Sequence, residues 1–298
     1  MTNSSNRVDS VESPSSKDSE VRALVLCGYG LNCDRETAYA LELAGAAAER
    51  VHINALISGE KRLDDFHVLA FVGGFSWGDD HGAGVICAHR LKTRLGDGLV
   101  NFVARGGLVI GICNGFQVLV NLGLLPGLEG DYRRRSVALI ANDCGNFRDD
   151  WVSLAVTAES PCVFTSGLDQ IDLPIRHGEG KFYCAPEIAA SLAAGHQVVL
   201  RYADAAGNPA GGSFPANPNG SLDDIAGICD PTGRVFGLMP HPEACLFPTN
   251  HPDWTRRKVS GARRGEPEMT PGQTSDGLRL FVNAVTFAKA RRLTGPEE

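Results

Sequence analysis

Apolar and polar positions follow a strand-then-helix order through the first half of the chain. Short apolar runs rich in β-branched residues predict strands at 23–27, 51–53, 68–72 and 108–110. Apolar residues at helical spacing predict helices over 34–45, 85–104 and 116–123. This order predicts an α/β fold with a mostly parallel central sheet, helices on both of its faces, and functional loops at the C-terminal ends of the strands.

The second half is richer in strands. Further apolar runs predict strands at 136–141, 151–156, 198–202, 225–229 and 235–239, with Asn219-Gly220 as a hairpin-type turn between two of them. A final helix is predicted over 276–292, because Leu278, Phe281, Val282, Val285 and Ala288 fall on one face. We therefore expect a single domain over residues 21–298.

Two segments fall outside this pattern. Residues 1–20 are rich in Ser, Asp and Asn and lack the apolar core of a secretory signal, so they are predicted to form a disordered tail. Residues 251–275 read as a basic insertion, and its stretch Arg256 to Arg264 is interpreted as a solvated loop, with a partner-docking element as the alternative.

Composition excludes several classes of protein. The chain has 43% hydrophobic and 21% charged residues, no apolar run of membrane-spanning length, and a net charge of -7, which argues against membrane insertion and non-specific nucleic-acid binding. Its nine cysteines include no C-x-x-C pair, so neither a disulfide framework nor a zinc ribbon is expected. We therefore expect no metal site and a reducing, cytoplasmic location.

Cys113 occupies a distinctive position in "LVIGICNGFQVLVNLG". The apolar period changes there from strand to helix, and Gly111 and Gly115 permit a sharp turn that lifts the thiol above the sheet edge. A helix N-terminus lowers the pKa of a thiol, because its partial positive charge and free N–H groups favour the anion. The sequence thus indicates a nucleophile, with a small buried apolar cysteine as the alternative.

Two other segments could complete a catalytic site with this cysteine. In "PHPEA", His241 and Glu243 are two residues apart, so an extended loop would present a base beside a carboxylate that orients it. A hydrogen-bonded loop histidine is the alternative. In "FVGGFSWGD", the Gly73-Gly74 turn could supply N–H groups to an oxyanion together with the N–H of Asn114, although such a pair is often only a turn.

These motifs resemble a known family. "GICNGFQ", "GGFSWGD", "RHGEGKFYC", "NPNGSLDDIAGI" and "PHPE" are similar to the class I glutamine amidotransferases, and among them to glutaminase subunits of phosphoribosylformylglycinamidine synthase in purine biosynthesis. The resemblance extends from about residue 22 to the final helix and implies a flavodoxin-like fold. The chain differs from the usual pattern of the family at four positions: Tyr29, Trp77, His81 and Ala244.

The resemblance implies particular roles. Cys113 would attack the side-chain amide of L-glutamine, His241 would protonate the departing ammonia, and Glu243 would hold His241. The implied oxyanion and glutamine-binding residues are Gly73, Gly74, Phe75, Asn114, Gln117, His177 and Gly178.

The resemblance also implies partners. Ammonia would pass to a separate synthetase subunit that uses ATP and magnesium, with a small third subunit as a further partner, since this chain has no phosphate-binding loop and needs no cofactor itself. Three alternatives stay open: a redox or stress protein with the same cysteine turn, a glutaminase subunit serving another amidotransferase, and a binding module without catalysis.

Overall fold

A computed structural model describes residues 20–264, 270 and 273–294, which form eleven strands and eight helices. Residues 1–19 of the predicted tail and residues 265–269, 271 and 272 of the predicted insertion lie outside the described residues. The strands are β1 Arg22–Cys27, β2 Ala47–His52, β3 Val68–Phe71, β4 Leu108–Ile112, β5 Val137–Ile140, β6 Arg148–Val156, β7 Gln170–His177, β8 Lys181–Cys184, β9 Val198–Ala203, β10 Ile225–Cys229 and β11 Val235–Leu238. The helices are α1 Asp34–Leu43, α2 Ile53–Ile57, α3 Val85–Leu95, α4 Gly98–Ala104, α5 Asn114–Leu122, α6 Pro186–Ala194, α7 Trp254–Arg264 and α8 Asp276–Thr294.

The central sheet has nine strands among the described residues, in the order β2-β1-β3-β4-β11-β10-β9-β6-β7. The first five are mutually parallel, and each later neighbour is antiparallel to the strand before it. All strands except β10 and β6 therefore point the same way, which confirms the mostly parallel sheet. The C-terminal ends of β1, β3, β4, β7 and β11 consequently meet at one edge. Strands β5 and β8 form a separate antiparallel pair.

Helices cover both faces of this sheet, as predicted. Helix α5 packs on β3, β4 and β11 and against α3, whereas α8 packs on β3 and β7 and against α1. The apolar residues predicted for the last helix include Leu278, Phe281, Val285 and Ala288, all of which are buried. Among the described residues, no helix combines the length and the apolar character needed to cross a bilayer.

Helix α5 approaches the sheet closely because glycines face it. A Cβ atom on Gly237 would lie 2.1 Å from Cδ2 of Phe116, and one on Gly111 would lie 2.6 Å from Cδ1 of Leu119. On the helix itself, a Cβ atom on Gly115 would lie 2.0 Å from the carbonyl oxygen of Phe71. These three missing side chains allow the first turn of α5 to sit against the ends of β3, β4 and β11.

Several predicted boundaries are wrong. The helix predicted over 85–104 is two helices, because Gly96 has φ +51° and ends α3 before α4 begins. The strand predicted over 51–53 is the end of β2, and Ile53 starts α2 after a cap in which His52 accepts a hydrogen bond from the Asn54 N–H.

The prediction of a hairpin-type turn at Asn219-Gly220 is also wrong. Strands β9 and β10 are antiparallel neighbours, but a long loop joins them and Asn219 is buried within it. Its side-chain amide donates to the carbonyl of Gly180 at 2.9 Å and to the hydroxyl of Tyr202 at 3.2 Å. Asn219 therefore anchors the loop to neighbouring segments.

Strands β7 and β8 and helix α6 were not predicted from the pattern. Pro174 interrupts the apolar alternation of β7, and proline is tolerated there because β7 is the last strand of the sheet. The basic stretch Arg256 to Arg264 is not a loop, since it lies in α7. Arg257 ties this helix to β7 through an ion pair with Asp172 at 2.7 Å.

The close approach at Gly115 can be tested by adding one methyl group. We expect Gly115→Ala to lower the free energy of unfolding by about 1–3 kcal/mol, because the new Cβ would overlap the Phe71 carbonyl. Gly98→Ala, in helix α4, is the matched control. Its new Cβ would lie 3.7 Å from Cδ1 of Leu63, which is an ordinary van der Waals contact. Urea unfolding measures both variants, and equal stabilities would contradict the packing argument.

Candidate active site

Cys113 lies at the turn between β4 and α5 with φ +51° and ψ -107°. Its N–H donates to the carbonyl of Leu238 at 2.8 Å, which fixes the turn to the end of β11. The side chain is buried, and its Sγ lies 3.4 Å from the carbonyl oxygen of Arg176. The thiol is therefore held at the sheet edge, beside the N-terminus of α5.

His241 and Glu243 form a buried pair immediately after β11. Nδ1 of His241 lies 2.6 Å from Oε1 of Glu243, and the two side chains are only 3% and 1% exposed. The segment was expected to be extended, but Pro242–Ala244 form a 3-10 turn that brings the carboxylate back to the ring. The His241 N–H also donates to the carbonyl of Pro174 at 2.8 Å, which links the pair to β7.

The surroundings of His241 favour a charged ring. Burial by itself lowers the pKa of His241, but the Glu243 carboxylate and then the nearby Cys113 raise it, so the pKa ends well above its ordinary value. Nε2 has no hydrogen-bond partner among the described residues. An imidazole held in this way can take a proton from a thiol and return it to a leaving group.

The Gly73-Gly74 turn is held by the loop that follows β1. The carbonyl of Gly73 accepts from the N–H groups of Asn32 and Cys33, each at 3.3 Å. Gly74 has φ +143°, a conformation that only glycine adopts readily. Within the described part of the chain, the N–H of Gly74 and that of Asn114 have no hydrogen-bond partner. Both N–H groups are therefore unpaired donors, which is what a developing oxyanion requires.

Phe75 has a paired backbone N–H and a partly exposed side chain. Its N–H is already paired with the carbonyl of Gly30 at 2.9 Å, so it is not an oxyanion donor. Its ring is 45% exposed and lies 6.0 Å from the ring of Phe147, centroid to centroid. Phe75 therefore contributes an apolar wall to the mouth of the site.

Gln117 belongs to a polar network that joins three segments. Its amide nitrogen donates to the carbonyl of Glu179 at 2.6 Å, and its amide oxygen accepts from Asn114 at 3.0 Å. Asn114 also donates to a carboxylate oxygen of Asp79 at 3.2 Å, and the Glu179 carboxylate accepts from the N–H of Ala83 at 3.1 Å. The network connects the double-glycine loop, helix α5 and the turn between β7 and β8.

Burial raises the pKa of Asp79 to about 6, with a smaller increase from the Glu179 carboxylate and a decrease from the Asn114 hydrogen bond. Asp79 therefore changes charge in mildly acidic solution. Its carboxylate accepts a hydrogen bond from Asn114, the residue that follows Cys113 in the chain. This titration links the polar network to pH.

His177 is buried and neutral. The amide nitrogen of Asn142 donates to the carbonyls of Asn146 and His177, so its oxygen is an acceptor and the Nδ1 of His177, 3.1 Å away, must carry the proton. Nε2 is then a buried acceptor without a partner among the described residues. Burial, followed by the nearby His241, lowers the pKa of His177 to about 3. Gly178 lies beside it, and its carbonyl accepts from the Asn142 N–H at 2.9 Å.

A cavity of about 220 Å³ opens onto His241. This is below the roughly 300–1,000 Å³ typical of pockets for drug-sized ligands and suits a small metabolite. The lining contains one arginine and one glutamate side chain, together with the aromatic wall. The cavity is lined by Asn32, Cys33, Glu36, Gly74, Phe75, Phe147, Arg176 and His241.

Sequence reasoning missed four residues of this site. No role was assigned to the side chains of Cys33, Asp79 and Glu179, although Asp79 lies in "GGFSWGD" and Glu179 in "RHGEGKFYC". Asn142 lies in a loop with no distinguishing pattern, and only its contacts with His177 identify it.

Comparisons with known proteins identify the family of the chain. Residues 20–288 match the family of CobB/CobQ-like glutamine amidotransferase domains. "Phosphoribosylformylglycinamidine synthase subunit PurQ" of Methanococcus maripaludis is 45% identical over 266 residues, covering 89% of this chain and 97% of the relative. The protein of the same name from Dehalococcoides mccartyi is 44% identical over 271 residues, covering 91% and 99%. A chain in the structure of PurLQS from Thermotoga maritima aligns with a TM-score of 0.65 at 29% identity, covering 90% of this chain and 99% of that chain.

The titration of Asp79 gives a prediction about stability. Its pKa is about 6 in the folded protein, against an ordinary value of about 3.9, so the folded state binds the proton more tightly and stability falls as pH rises through that window. Asp79→Asn removes this titration. The free energy of unfolding of the variant minus that of the parent should therefore increase from pH about 4 to pH about 6. Below and above this range the difference should not change with pH.

Urea unfolding at a series of pH values measures this difference. Asp80→Asn, which removes the neighbouring exposed carboxylate, is the matched control and should not reproduce the change. The same pH dependence in both variants would contradict the assignment to Asp79.

Proposed function

The chain belongs to the family of CobB/CobQ-like glutamine amidotransferases, and from that premise we propose that it is the glutaminase subunit of a phosphoribosylformylglycinamidine synthase. It hydrolyses L-glutamine to glutamate and ammonia, and the ammonia is used to make formylglycinamidine ribonucleotide in purine biosynthesis. The observation that carries the proposal is the meeting, at one sheet edge, of Cys113 on its strained turn with the buried His241–Glu243 pair. The names of the full-length relatives supply the pathway.

The reaction begins with the transfer of the Cys113 proton to Nε2 of His241. The thiolate attacks the carboxamide carbon of glutamine and forms a C–S bond, while the N–H groups of Gly74 and Asn114 stabilise the oxyanion. The protonated ring of His241 then gives its proton to the amide nitrogen, and the C–N bond breaks to release ammonia. A glutamyl thioester remains on Cys113.

Water completes the cycle. His241, now neutral, accepts a proton from the water that attacks the thioester carbonyl, and the C–S bond breaks to release glutamate and the thiolate. Glu243 keeps Nδ1 protonated, so that Nε2 is the nitrogen that exchanges protons with the reactants. His177 lies near enough to His241 for the charge of His241 to contribute to lowering the pKa of His177.

The remaining partners follow from the same proposal. The chain serves an ATP-dependent synthetase subunit, with a small third subunit in the complex, and ATP and magnesium act in the synthetase and not in this chain. We place the complex in the cytoplasm. The name PurLQS of the Thermotoga maritima assembly supports a complex of this kind.

Removal of the nucleophile should separate the two half-reactions. We expect Cys113→Ser to lower glutamine-dependent synthesis by the assembled complex on the order of a thousandfold or more, because a serine hydroxyl is far less acidic than a thiol. Ammonia-dependent synthesis should be unchanged. Cys144→Ser, at an exposed cysteine, is the control. Near-normal use of glutamine by Cys113→Ser would exclude Cys113 as the nucleophile.

Glu243→Gln should leave the fold intact but slow glutamate release by roughly 10²–10⁴-fold, since an amide does not stabilise the charged ring or enforce its tautomer. Because Glu243 is the main group that raises the pKa of His241, the ring should also titrate at lower pH in the variant. Steady-state kinetics and an NMR titration of His241 measure the two effects. Turnover equal to that of the parent would mean that another group orients the ring.

A further inference from the structure

A second thiol lies beside the buried pair. The Sγ atom of Cys33, a ring nitrogen of His241 and a carboxylate oxygen of Glu243 all lie within 4.8 Å of one another. We propose that these three side chains form a binding site for a soft divalent cation such as Zn²⁺, and that the cation inhibits the enzyme by occupying His241. The inhibition rests on the proposed function, whereas the binding does not.

The space between the thiol and the ring is kept open by Gly73. A Cβ atom at this position would lie 2.7 Å from Cε1 of His241 and 3.2 Å from Sγ of Cys33. Any larger residue would therefore fill the gap between the two donors. Glycine leaves room there for an ion to be bound by both.

The pair also has unused bonding capacity. Oε2 of Glu243 and Nε2 of His241 have no hydrogen-bond partner among the described residues, although the side chains are only 1% and 3% exposed. A buried carboxylate oxygen without a donor is unfavourable, and coordination to a cation would satisfy it. Cys33 is only half-buried and lines the cavity with His241, so an ion can reach the site from solvent.

The donors select the class of cation. A thiolate, an imidazole and a carboxylate are ligands of Zn²⁺ and similar ions, whereas Mg²⁺ and Ca²⁺ require mostly oxygen ligands. In a tetrahedral zinc site the donor atoms are about 3.5 Å apart, so the cluster must contract by roughly 1 Å, which rotation of the Cys33 side chain can supply.

Binding is coupled to protons. The thiol of Cys33 and the charged ring of His241 must each lose a proton to coordinate, and both protons are released to solvent. Burial raises the pKa of Cys33, with a partly compensating decrease from its contact with His241. With a ring nitrogen or its carboxylate partner engaged by the ion, His241 no longer exchanges protons with Cys113.

Binding is tested in a chain that carries Cys113→Ser, so that the nucleophile cannot be the thiol ligand. Titration with Co²⁺ should give a thiolate-to-cobalt charge-transfer band at about one ion per chain, and Zn²⁺ should displace it. Adding Cys33→Ser should weaken binding at least about tenfold and remove the band. Adding Cys27→Ser, at another half-buried cysteine, should change neither. An unchanged affinity and band with Cys33→Ser would overturn the inference.

Inhibition is tested in the chain with Cys113 intact. Buffered Zn²⁺ should stop glutamate release by the parent and by Cys27→Ser, and a chelator should restore it. Cys33→Ser should need at least about tenfold more free Zn²⁺ for the same inhibition. Equal sensitivity of Cys33→Ser and the parent would show that the ion acts through Cys113 and would refute the inhibitory role of the Cys33 site. Because Co²⁺ binding is measured in a chain without the nucleophile, its outcome is independent of whether the chain is a glutaminase.

Discussion

Cys113 holds a backbone conformation, φ +51° and ψ -107°, that costs a residue with a side chain about 1–3 kcal/mol. The surrounding structure maintains it by pairing the Cys113 N–H with Leu238 and by packing α5 onto strand ends that lack side chains at Gly111 and Gly237. Every other part of the site is placed relative to this turn. The turn directs the thiol toward the carbonyl of Arg176 in β7 and leaves the N–H of Asn114 without a partner among the described residues.

Burial is the second constraint, and it acts on charge. His241 and Glu243 are almost fully excluded from solvent, so an isolated charge on either would be very unfavourable, and each provides the counter-charge for the other. His177, which lacks such a partner, is kept neutral by the same burial. Two histidines in one site are thus assigned different protonation states by whether a carboxylate lies beside the ring.

A network of neutral and charged side chains connects the loops that form the site. Asn114 and Gln117 on α5 reach Asp79 in the double-glycine loop and Glu179 in the turn after β7. Each of these loops carries or adjoins a residue of the candidate site. A polar network of this kind is rigid only when its members are satisfied, which explains why Gln117 is committed to Glu179 and Asn114 rather than left free in the cavity.

The sequence by itself determined the alternation of strands and helices in the first half, the turn at Cys113 and the two-residue spacing of His241 and Glu243, because local period, glycine placement and residue spacing are properties of neighbouring positions. It did not determine the 3-10 turn at Pro242–Ala244 or the strand β7. In β7, Pro174 interrupts the apolar pattern, and proline is acceptable there only because β7 is the last strand of the sheet. It also could not place Cys33 beside His241, Asn142 beside His177, or Asp79 beside Glu179. Those contacts join residues far apart in the chain, and they arise only when parallel strands bring their C-terminal loops to one edge and burial decides which charges persist.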